Sequence, residues 1–592
     1  MDKCKWKYPV LDAIKLGCIS SPVYVLIVAI QMIVSSVVPT VQILAMAWFI
    51  DSVMEVVTEN GNMSRTVLPA LCVGGIVVYE WTIRTIMSLV WVKLENCFRE
   101  AFTTQLVKRK AQLKYSDLEN PRICDLTNRV ISKAEKQMVS LIRTMSNSIC
   151  LICKIIGVLS VIFLYQWWTA LIMVVICIPL IRLAILSGKA TYEVEQEVTK
   201  YSRQCEYLSE LITGREAAQE RALFGFTNWI NSKWSDMYTK YGKKTAEASF
   251  KWFARLEGGS IITAVVSAIN IALLIRPVIT GVLSVGLFVS LVNACLNLID
   301  AMSWELRGYI DSFTNRIAYF GDVRRFMQLE IVKENLDERN PFKKFEKIEF
   351  ENVSFTYPGT DQPVLENVSF VIENGRHYAL VGKNGTGKTT IVKLLTGLYS
   401  NYSGRILVNG IDIRSISIGK LKGLFSVIYQ DFAKYAISIK DNLLLANSSL
   451  DETAIEEVLK MFGLAEIAEN GPNGVDTVLG KIDENGIDLS GGEWQRLAIA
   501  RTYVNQAPVY LLDEPTAALD PMAECAVYQD FQMISKGKTT LLISHRLGSV
   551  KLVDEIFVLD GGRIIERGSH EQLMEMEGLY QEMYNSQAGG YA

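Results

Sequence analysis

The sequence predicts two successive parts: an α-helical membrane domain of six transmembrane helices with long cytoplasmic extensions, and then an α/β domain that carries a P-loop. Hydrophobic residues make up 50% of the 592 residues, and the mean hydropathy is +0.20. Long charge-free runs lie before residue 329, whereas short apolar runs alternate with glycine-containing turns after residue 347. The low charged fraction, 21%, excludes a disordered chain, and a net charge of −3 argues against a nucleic-acid partner.

The first predicted membrane helix lies in Leu16–Ile50, which contains no charged residue. This run exceeds the roughly 20 residues that a helix needs to cross hydrocarbon. It is also too long for the core of a signal peptide. Ser21-Pro22 marks the expected point of entry into the membrane. The five further helices are predicted at Val67–Val92, from Leu141 to a turn at Gln166–Trp168, from that turn to Arg182, at Gly258–Ile275 and at Val282–Ile299.

The segments between these helices alternate in length and charge. Lys93–Met138 and Leu183–Leu256 are long and rich in Lys and Arg, whereas the short Asp51–Thr66 has Arg65 as its only basic residue. Because basic loops stay on the cytoplasmic side, both long loops and the N-terminus are expected there. The chain is therefore predicted to be a multi-pass protein of the cell membrane, with a bacterial cytoplasmic membrane as the expected location.

Two charges interrupt the second predicted helix, Glu80 and Arg84, one turn apart. Charged residues at this depth usually face a cavity or a charged partner. They line a substrate path in one interpretation. In the other they neutralise each other across one turn and stabilise helix packing.

The second half contains a P-loop, the pattern GxxxxGK[ST], at Gly382–Thr389. A strand-like run, Tyr378–Val381, precedes it and a helix-like run, Thr390–Leu398, follows it, which is the context that this motif needs. Lys388 is expected to hold the β- and γ-phosphates of ATP, and the Thr389 hydroxyl to bind Mg²⁺. The residues predicted to surround the phosphates are Gly382, Asn384, Gly385, Thr386, Gly387, Lys388, Thr389 and Thr390.

A second motif lies about 130 residues further on, where four apolar residues, Val509–Leu512, precede Asp513 and Glu514. Such a run predicts a buried parallel strand. The strand would deliver Asp513 to Mg²⁺, and Glu514 is placed to act as the general base that polarises an attacking water.

A third motif, Leu489–Glu493, reads LSGGE and opens an apolar-periodic helix just before that strand. Here the chain resembles the ABC transporter ATPases, whose signature is LSGGE. The resemblance implies that Tyr357 stacks on adenine, that Gln430 touches Mg²⁺ and the membrane domain, and that His545 lies near the γ-phosphate. It also implies a D-loop at Asp520. Ser490, Gly491 and Gly492 would bind ATP from the other subunit, Ser490 donating to the γ-phosphate.

The resemblance extends over the whole chain and is to half-transporters of the type IV, or exporter, fold. It implies a transmembrane domain at residues 1–328, a linker at 329–347 and an ATPase domain at 348–592. One ATPase domain of this family cannot complete its own site. A second copy of the chain is therefore the expected partner, and a homologous half-transporter is the alternative. Membrane lipid is the expected surrounding.

The sequence predicts export of an amphipathic substrate from the cytoplasm by alternating access. Glu119–Pro121 with Asp125, and Asp520–Glu524, resemble features of the exporters of modified antimicrobial peptides, so the cargo is expected to be a peptide, a lipid or a drug. An importer of the same fold, and an ATP-gated channel or regulatory subunit, remain as alternatives. Stretches near Asn120–Asp125 and Gly214–Phe226 are expected to hold the helices that couple the two domains.

Overall fold

The computed structural model describes residues 9–589 with several gaps, and they form two compact units. The gaps are 60–62, 133, 166, 169, 172–174, 176–177, 179–181, 183–185, 187–200, 203, 215–216, 302–304, 333–344, 482–485, 515–534, 536 and 545–548. The first unit comprises Met1–Ala111 and Pro121–Glu330, and the second comprises Gln112–Asn120 and Ile331–Ala592.

The first unit is helical throughout its named elements. Its first helices are α1 (Pro9–Ser20), α2 (Pro22–Glu59), α3 (Ser64–Phe98) and α4 (Thr104–Ala111), with one π-helical turn, Arg99–Thr103, between α3 and α4. The short helix α5 (Tyr115–Leu118) belongs to the second unit. The remaining helices of the first unit are α6 (Pro121–Ile131), α7 (Ala134–Tyr165), α8 (Ala218–Phe224), α9 (Thr227–Ile279), α10 (Val285–Asp300) and α11 (Leu306–Gln328).

Three helices of the described chain are long and apolar enough to cross a membrane. Their spans are Pro22–Thr58, Ser64–Ala111 and Ala134–Leu164, with mean hydropathies of 2.1, 1.6 and 2.3. They confirm the first three predicted membrane helices. Most of the fourth falls outside the described residues. The fifth and sixth coincide with parts of α9 and α10, where Val285–Asn297 is a shorter apolar segment.

The large apolar side chains of these helices point outward. Leu26, Ile33, Leu71 and Leu89 are each about two-thirds exposed, at 60%, 64%, 67% and 65%. In water such a surface would be strongly unfavourable, whereas lipid tails are as apolar as the side chains themselves. The outward apolar surface thus fits a domain whose solvent is the bilayer.

An aspartate of α2 fixes the start of α10. Asp51 accepts a hydrogen bond from the Ser284 hydroxyl at 2.6 Å and another from the Gly286 backbone N–H at 2.7 Å. The Ser284 hydroxyl in turn accepts from the Leu287 N–H at 3.2 Å. Two of the N–H groups that a helix leaves unpaired at its start are thereby satisfied. A Cβ at Gly286 would collide with the Ala47 carbonyl oxygen, so glycine permits this close approach.

The second unit contains two β-sheets and a set of short helices. Its strands are β1 (Lys347–Phe355), β2 (Leu365–Glu373), β3 (His377–Val381), β4 (Ser403–Val408), β5 (Ile411–Asp412), β6 (Phe425–Ile428), β7 (Val509–Asp513), β8 (Thr539–Ile543), β9 (Glu555–Asp560) and β10 (Arg563–Gly568). Its further helices are α12 (Lys388–Leu395), α13 (Ile418–Leu424), α14 (Ile439–Leu444), α15 (Glu452–Met461), α16 (Ala465–Asn470), α17 (Gly491–Val504), α18 (His570–Glu575) and α19 (Leu579–Gly589).

The sheet topology brings the ends of three strands to one edge. The six-stranded sheet has the order β10-β9-β3-β8-β7-β6, and every pair except β10 with β9 is parallel. A smaller antiparallel sheet has the order β2-β1-β4-β5. Strands β7 and β8 are buried at every position, as expected for parallel strands covered on both faces. The carboxyl ends of β3, β8 and β7 therefore lie side by side.

The segment that joins α4 to α6 packs with the second unit. Leu113 is buried and forms an isolated antiparallel bridge with Ile331, and the Gln112 carbonyl accepts from the Val332 N–H at 2.7 Å. The short helix here is α5, Tyr115–Leu118, whereas Asn120–Asp125 runs into α6 of the first unit. The expected coupling helix near Asn120–Asp125 stays a prediction, and Pro121 begins α6 in this stretch. In the second stretch, Gly214–Phe226, the described helix is α8.

We expect Gly286→Ala to destabilise the membrane domain by about 1–3 kcal/mol, because the added methyl would force α2 and α10 apart. Gly308→Ala in α11 is the matched control, since a Cβ there has no atom within 4 Å and alanine favours a helix. Thermal unfolding of both variants in detergent measures the difference. Equal unfolding temperatures would contradict the close packing at Gly286.

Candidate active site

The P-loop connects β3 to α12 through a left-handed turn. Strand β3 ends at Val381, and Gly387, the residue before α12, has a φ of +101°. A Cβ at Gly387 would lie 2.7 Å from Cδ2 of Leu365. Glycine is therefore required both for the backbone conformation and for the packing against β2. The loop brings the N-terminus of α12, with its unpaired N–H groups, to the carboxyl edge of the sheet.

Lys388 is folded back into this loop. Its ammonium donates to the carbonyl oxygens of Gly382 at 2.9 Å and Lys383 at 2.8 Å, and the residue is 5% exposed. Burial lowers the pKa of Lys388, and the nearby carboxylates of Glu514 and Asp513 oppose that shift. The hydrogen-bond acceptors of the ammonium are neutral carbonyls, so a phosphate group would supply a negative charge in direct contact with this buried cation.

Asp513 ends β7 and is 1% exposed. Its Oδ1 accepts a hydrogen bond from the Thr389 hydroxyl at 3.3 Å, whereas its Oδ2 is buried without a hydrogen-bond partner. Burial raises the pKa of Asp513 to about 6, partly offset by the Thr389 hydrogen bond. A buried, incompletely paired carboxylate beside a threonine hydroxyl supplies the hard oxygen ligands that Mg²⁺ prefers. These two residues therefore fit the metal that the P-loop motif implies.

Glu514 has a backbone conformation that is rare for its residue type. Its φ is +48°, and its N–H donates to the Ile543 carbonyl of β8 at 3.0 Å. A left-handed conformation at a non-glycine residue costs on the order of 1 kcal/mol and is often found at functional sites. Glu514 directly follows Asp513 at the end of β7, and its side chain is half-buried.

Tyr357 belongs to an aromatic cluster beside α12. Its hydroxyl lies 2.9 Å from the Thr390 hydroxyl, and its ring packs edge-on against Phe355 and Tyr399, with centroid distances of 4.9 and 5.5 Å. The ring is only partly buried. It is thus supported from behind by two aromatic rings and keeps exposed surface on which a base can stack.

The signature motif lies at the exposed start of another helix. Ser490 caps α17: its hydroxyl accepts from the Glu493 N–H at 3.3 Å, and the Glu493 carboxylate accepts from the Ser490 N–H at 2.7 Å. Ser490 and Gly491 are exposed, and Gly492 is half-buried. Among the described residues, no hydrogen bond or ion pair joins this motif to the P-loop of the same chain.

The remaining predicted residues divide between described and undescribed positions. Gln430 is exposed and follows β6, whose neighbour β7 carries Asp513 at the same edge. Asp520 and His545 lie outside the described residues. Ser544, which precedes His545, is buried at the end of β8.

One ionic cluster was not anticipated from the sequence. Glu119 pairs with Lys393 of α12 at 2.8 Å and accepts hydrogen bonds from the Tyr399 hydroxyl and, at 2.7 Å, the Tyr115 hydroxyl. The Lys393 ammonium also lies 5.6 Å from the ring centroid of Tyr357. The cluster therefore joins the segment Gln112–Asn120, called the α5 segment below, to the helix that follows the P-loop and to the aromatic ring proposed for adenine.

The charge state of Glu119 follows from these contacts. Burial acts to raise its pKa, but the hydrogen bonds from Lys393, Tyr399 and Tyr115 outweigh it and hold the pKa below the ordinary value. The same pairing raises the pKa of Lys393 against the effect of burial. The ion pair is therefore present across the neutral pH range. The only signal for this ion pair in the sequence is that Tyr115 begins α5 and Glu119 follows it.

Comparisons with known families cover most of both units. Residues 28–299 match the ABC transporter transmembrane region, and residues 365–517 match the ABC transporter family. The chain is 30% identical over 490 residues to the subtilin transport ATP-binding protein SpaT of Bacillus subtilis, covering 82% of this chain and 79% of that one. It is also 30% identical over 450 residues to the ATP-dependent lipid A-core flippase of Escherichia coli K12, covering 74% of each.

A solved structure shares the fold over nearly the full length. It is described as a bacterial Atm1-family ABC exporter with ATP bound. The TM-score is 0.77 at 22% sequence identity, and the match covers 95% of this chain and 98% of that chain. At this identity the likeness concerns the fold.

We expect Asp513→Asn to bind ATP without the enhancement that Mg²⁺ gives the unmodified protein, because the amide removes the anionic ligand beside Thr389. A loss of about tenfold or more in Mg²⁺-dependent affinity is expected. Fluorescent-nucleotide titrations with Mg²⁺ and with EDTA measure it. Asp412→Asn, whose carboxylate pairs with Arg414 instead, is the control. An unchanged response to Mg²⁺ would contradict the assignment.

We expect Glu119→Gln to loosen the α5 segment from α12, since the amide cannot form the ion pair with Lys393. A partly exposed pair of this kind contributes up to about 1 kcal/mol, so amide hydrogen exchange in residues 113–119 should accelerate by up to about fivefold. Glu366→Gln, which removes the exposed pair with Arg563, serves as the control. Unchanged exchange in the Glu119 variant would show that the ion pair does not hold the segment.

Proposed function

The chain belongs to the ABC transporter family as an ATP-driven exporter, and we propose that two copies of it together carry an amphipathic substrate out of the cytoplasm. One observation carries the proposal: the same chain holds a P-loop site built around buried Lys388 and Asp513 and a membrane domain that encloses a charged cavity. The ATPase supplies the energy, and the cavity provides a place for a polar group at membrane depth.

The described residues support a separate role for each functional group at the ATP site. Lys388 and the N–H groups of the P-loop would bind the β- and γ-phosphates, and Tyr357 would stack on the adenine. Thr389, Asp513 and Gln430 would hold Mg²⁺, which when bound neutralises charge on the phosphate oxygens. We propose that His545 lies near the γ-phosphate, as the family resemblance implies.

Glu514 is the proposed general base. Its carboxylate would accept a proton from a water molecule as the water oxygen attacks the γ-phosphorus. The bond between that phosphorus and the bridging oxygen breaks, and its electron pair remains on ADP. Lys388 offsets the negative charge on the phosphate oxygens during this step. The left-handed backbone of Glu514 supports this role, because strained conformations of this kind cluster at active sites.

The exposed signature motif supports a composite site. Ser490 caps a helix whose N-terminus is exposed, and within the described part of the chain it forms no hydrogen bond with its own P-loop. Such a helix start favours anions. We propose that Ser490, Gly491 and Gly492 of one chain close over ATP held by the P-loop of a second copy, with Asp520 in the adjoining D-loop. Two composite sites would result.

A difference in ATP affinity between the open and the closed pair of ATPase domains would drive closure, and closure would act on the membrane domain. ATP binds the closed pair more tightly than the open pair, so it shifts the equilibrium toward closure, and hydrolysis removes that bias. The α5 segment and Glu119 lie in the ATPase unit and continue directly into α4 and α6. We propose this segment as one route by which closure reaches the membrane helices, giving alternating access.

The names of the relatives favour export and an amphipathic cargo. They give subtilin transport and lipid A-core flipping as the activities of those proteins. We propose a peptide or a lipid as the cargo of this chain. We further propose six membrane helices within residues 1–328, a linker at 329–347 and an ATPase domain at 348–592 on the cytoplasmic side. The basic loops predicted from the sequence support that orientation.

We expect Glu514→Gln to reduce ATP turnover by at least about 100-fold, the usual contribution of a general base, while ATP binding stays intact. Phosphate release and nucleotide binding by the full chain in lipid nanodiscs measure the two effects. Glu452→Gln, on the surface of α15, is the control. Turnover at the unmodified rate in the Glu514 variant would show that Glu514 is not the general base.

Accumulation of amphipathic cargo by inside-out vesicles tests export.

A further inference from the structure

A charged cavity of about 580 Å³ lies within the membrane domain. Residues of α2, α3 and α7 line it, together with Glu305 and Tyr309 at the start of α11. Its ionisable lining consists of Glu80, Arg84, Arg143, Lys154 and Glu305. Three cations therefore face two carboxylates inside a domain whose outer surface is apolar.

The cavity does not neutralise its own charges. Lys154 pairs with Glu305 at 3.5 Å. The Arg84 guanidinium lies 5.8 Å from the ring centroid of Trp81, and that of Arg143 lies 5.4 Å from the ring centroid of Trp91. In the described part of the chain, neither arginine has a carboxylate within ion-pair distance. The mutual neutralisation of Glu80 and Arg84 considered from the sequence is therefore not formed.

An apolar groove of about 610 Å³ adjoins this cavity between α2 and α3. Apart from Tyr79, its lining is apolar, and Val34, Leu44, Trp48 and Leu71 are among its members. Val38 and Tyr79 line both the groove and the charged cavity. The Tyr79 hydroxyl donates to the Gln31 side chain, in the charged cavity, at 3.1 Å. The two spaces thus adjoin at Val38 and Tyr79, and the Tyr79 hydroxyl points to the polar side.

We propose that cavity and groove form one binding site for an anionic amphiphile, whose negatively charged group lies near Arg84 and Arg143 and whose apolar chain lies in the groove. Cations at membrane depth are costly unless they are paired, and an anionic group supplies the missing partner. The apolar groove favours a chain without polar atoms. The inference rests on the proposed export function and narrows its substrate class. A lipid with an acidic head group and a peptide with an acidic residue beside apolar side chains share this chemistry.

Equilibrium binding to the full chain in nanodiscs, without nucleotide, tests the preference for a negative group. Tritiated dodecyl phosphate serves as the probe, and dodecyltrimethylammonium, with the same chain, as the cationic competitor. We expect the anion to bind at least about tenfold more tightly than the cation, since the cationic probe would bring like charges together beside Arg84 and Arg143. That preference should largely disappear in Arg84→Gln and Arg143→Gln. It should persist in Arg65→Gln, an exposed arginine that pairs with Glu55 outside both spaces.

Equal or tighter binding of the cation, or a preference unchanged in both cavity variants, would overturn the proposal. Two further competitors distinguish the sources of the anionic group. A lysophosphatidate that competes better than a short leucine- and phenylalanine-containing peptide ending in aspartate indicates a lipid; the reverse order indicates a peptide. Either order supports an anionic amphiphile, whereas failure of both to displace the probe overturns it.

The apolar half has its own test. A Cβ added at Gly75, which lines the groove, has no atom within 4 Å, so Gly75→Phe can place its ring in the groove without a backbone clash. Gly74→Phe on the same helix is the matched control, because Gly74 is equally open and does not line the groove. We expect only the Gly75 variant to weaken dodecyl phosphate binding, by about tenfold or more. Equal binding by the two variants would exclude the groove.

These tests separate the inference from the proposed function. Binding is measured without nucleotide, whereas the function depends on turnover and on Glu514. A protein that hydrolyses ATP and exports cargo, yet prefers the cationic probe, overturns the anionic site alone. A protein without ATPase activity that still binds the anion with the expected dependence on Arg84 overturns the function and keeps the site.

Discussion

The buried carboxylate of Asp513 is the constraint on which the ATPase half depends. It stands at the end of a fully buried parallel strand, 1% exposed, with one oxygen on Thr389 and the other without a partner. Lys388 is buried nearby and donates its hydrogen bonds to the neutral carbonyls of Gly382 and Lys383. A cation and an anion are thus both held out of water and both incompletely paired, a costly arrangement for the empty protein. The same arrangement favours a phosphate-bearing ligand that binds together with a metal ion. The phosphates would pair with the Lys388 ammonium, and the metal ion would pair with the Asp513 carboxylate.

Sequence reasoning succeeded where chemistry fixes the spacing of residues along the chain. The P-loop, the strand before Asp513 and the capping serine of the signature helix lie in short local patterns, and each forms the predicted element. It missed contacts between residues far apart in sequence, such as Glu119 and Lys393, which are 274 positions apart. No local pattern in the sequence shows that Gln112–Asn120 packs with residues of the second unit. Glu80 and Arg84, considered from the sequence as lining a substrate path, do line the cavity, whereas Arg143 and Lys154 join them only because α3 and α7 pack together.

The charged side chains of this molecule fall into two groups by their pairing. Arg129 with Asp322, and Lys154 with Glu305, are pairs in which each charge compensates the other, and such pairs mainly position helices. Lys388, Asp513, Arg84 and Arg143 lack such compensation among the described residues. Incomplete pairing at a buried or membrane-embedded position is the physical signal that distinguishes a binding group from a structural one. The sequence does not show this difference, because it does not tell which charged residues are paired in the fold.

The packing of Gln112–Asn120 with the second unit has a consequence for biosynthesis. These nine residues leave the ribosome with the membrane helices, but Lys393 and Tyr399, which complete their contacts, are synthesised more than 270 residues later. At the usual rates of translation that delay lasts on the order of 15–55 seconds. Leu113 and Tyr115 therefore lack their final neighbours until the ATPase domain has emerged and folded. Assembly of the chain thus ends when a late domain binds an early segment, and the second unit is complete only after that step.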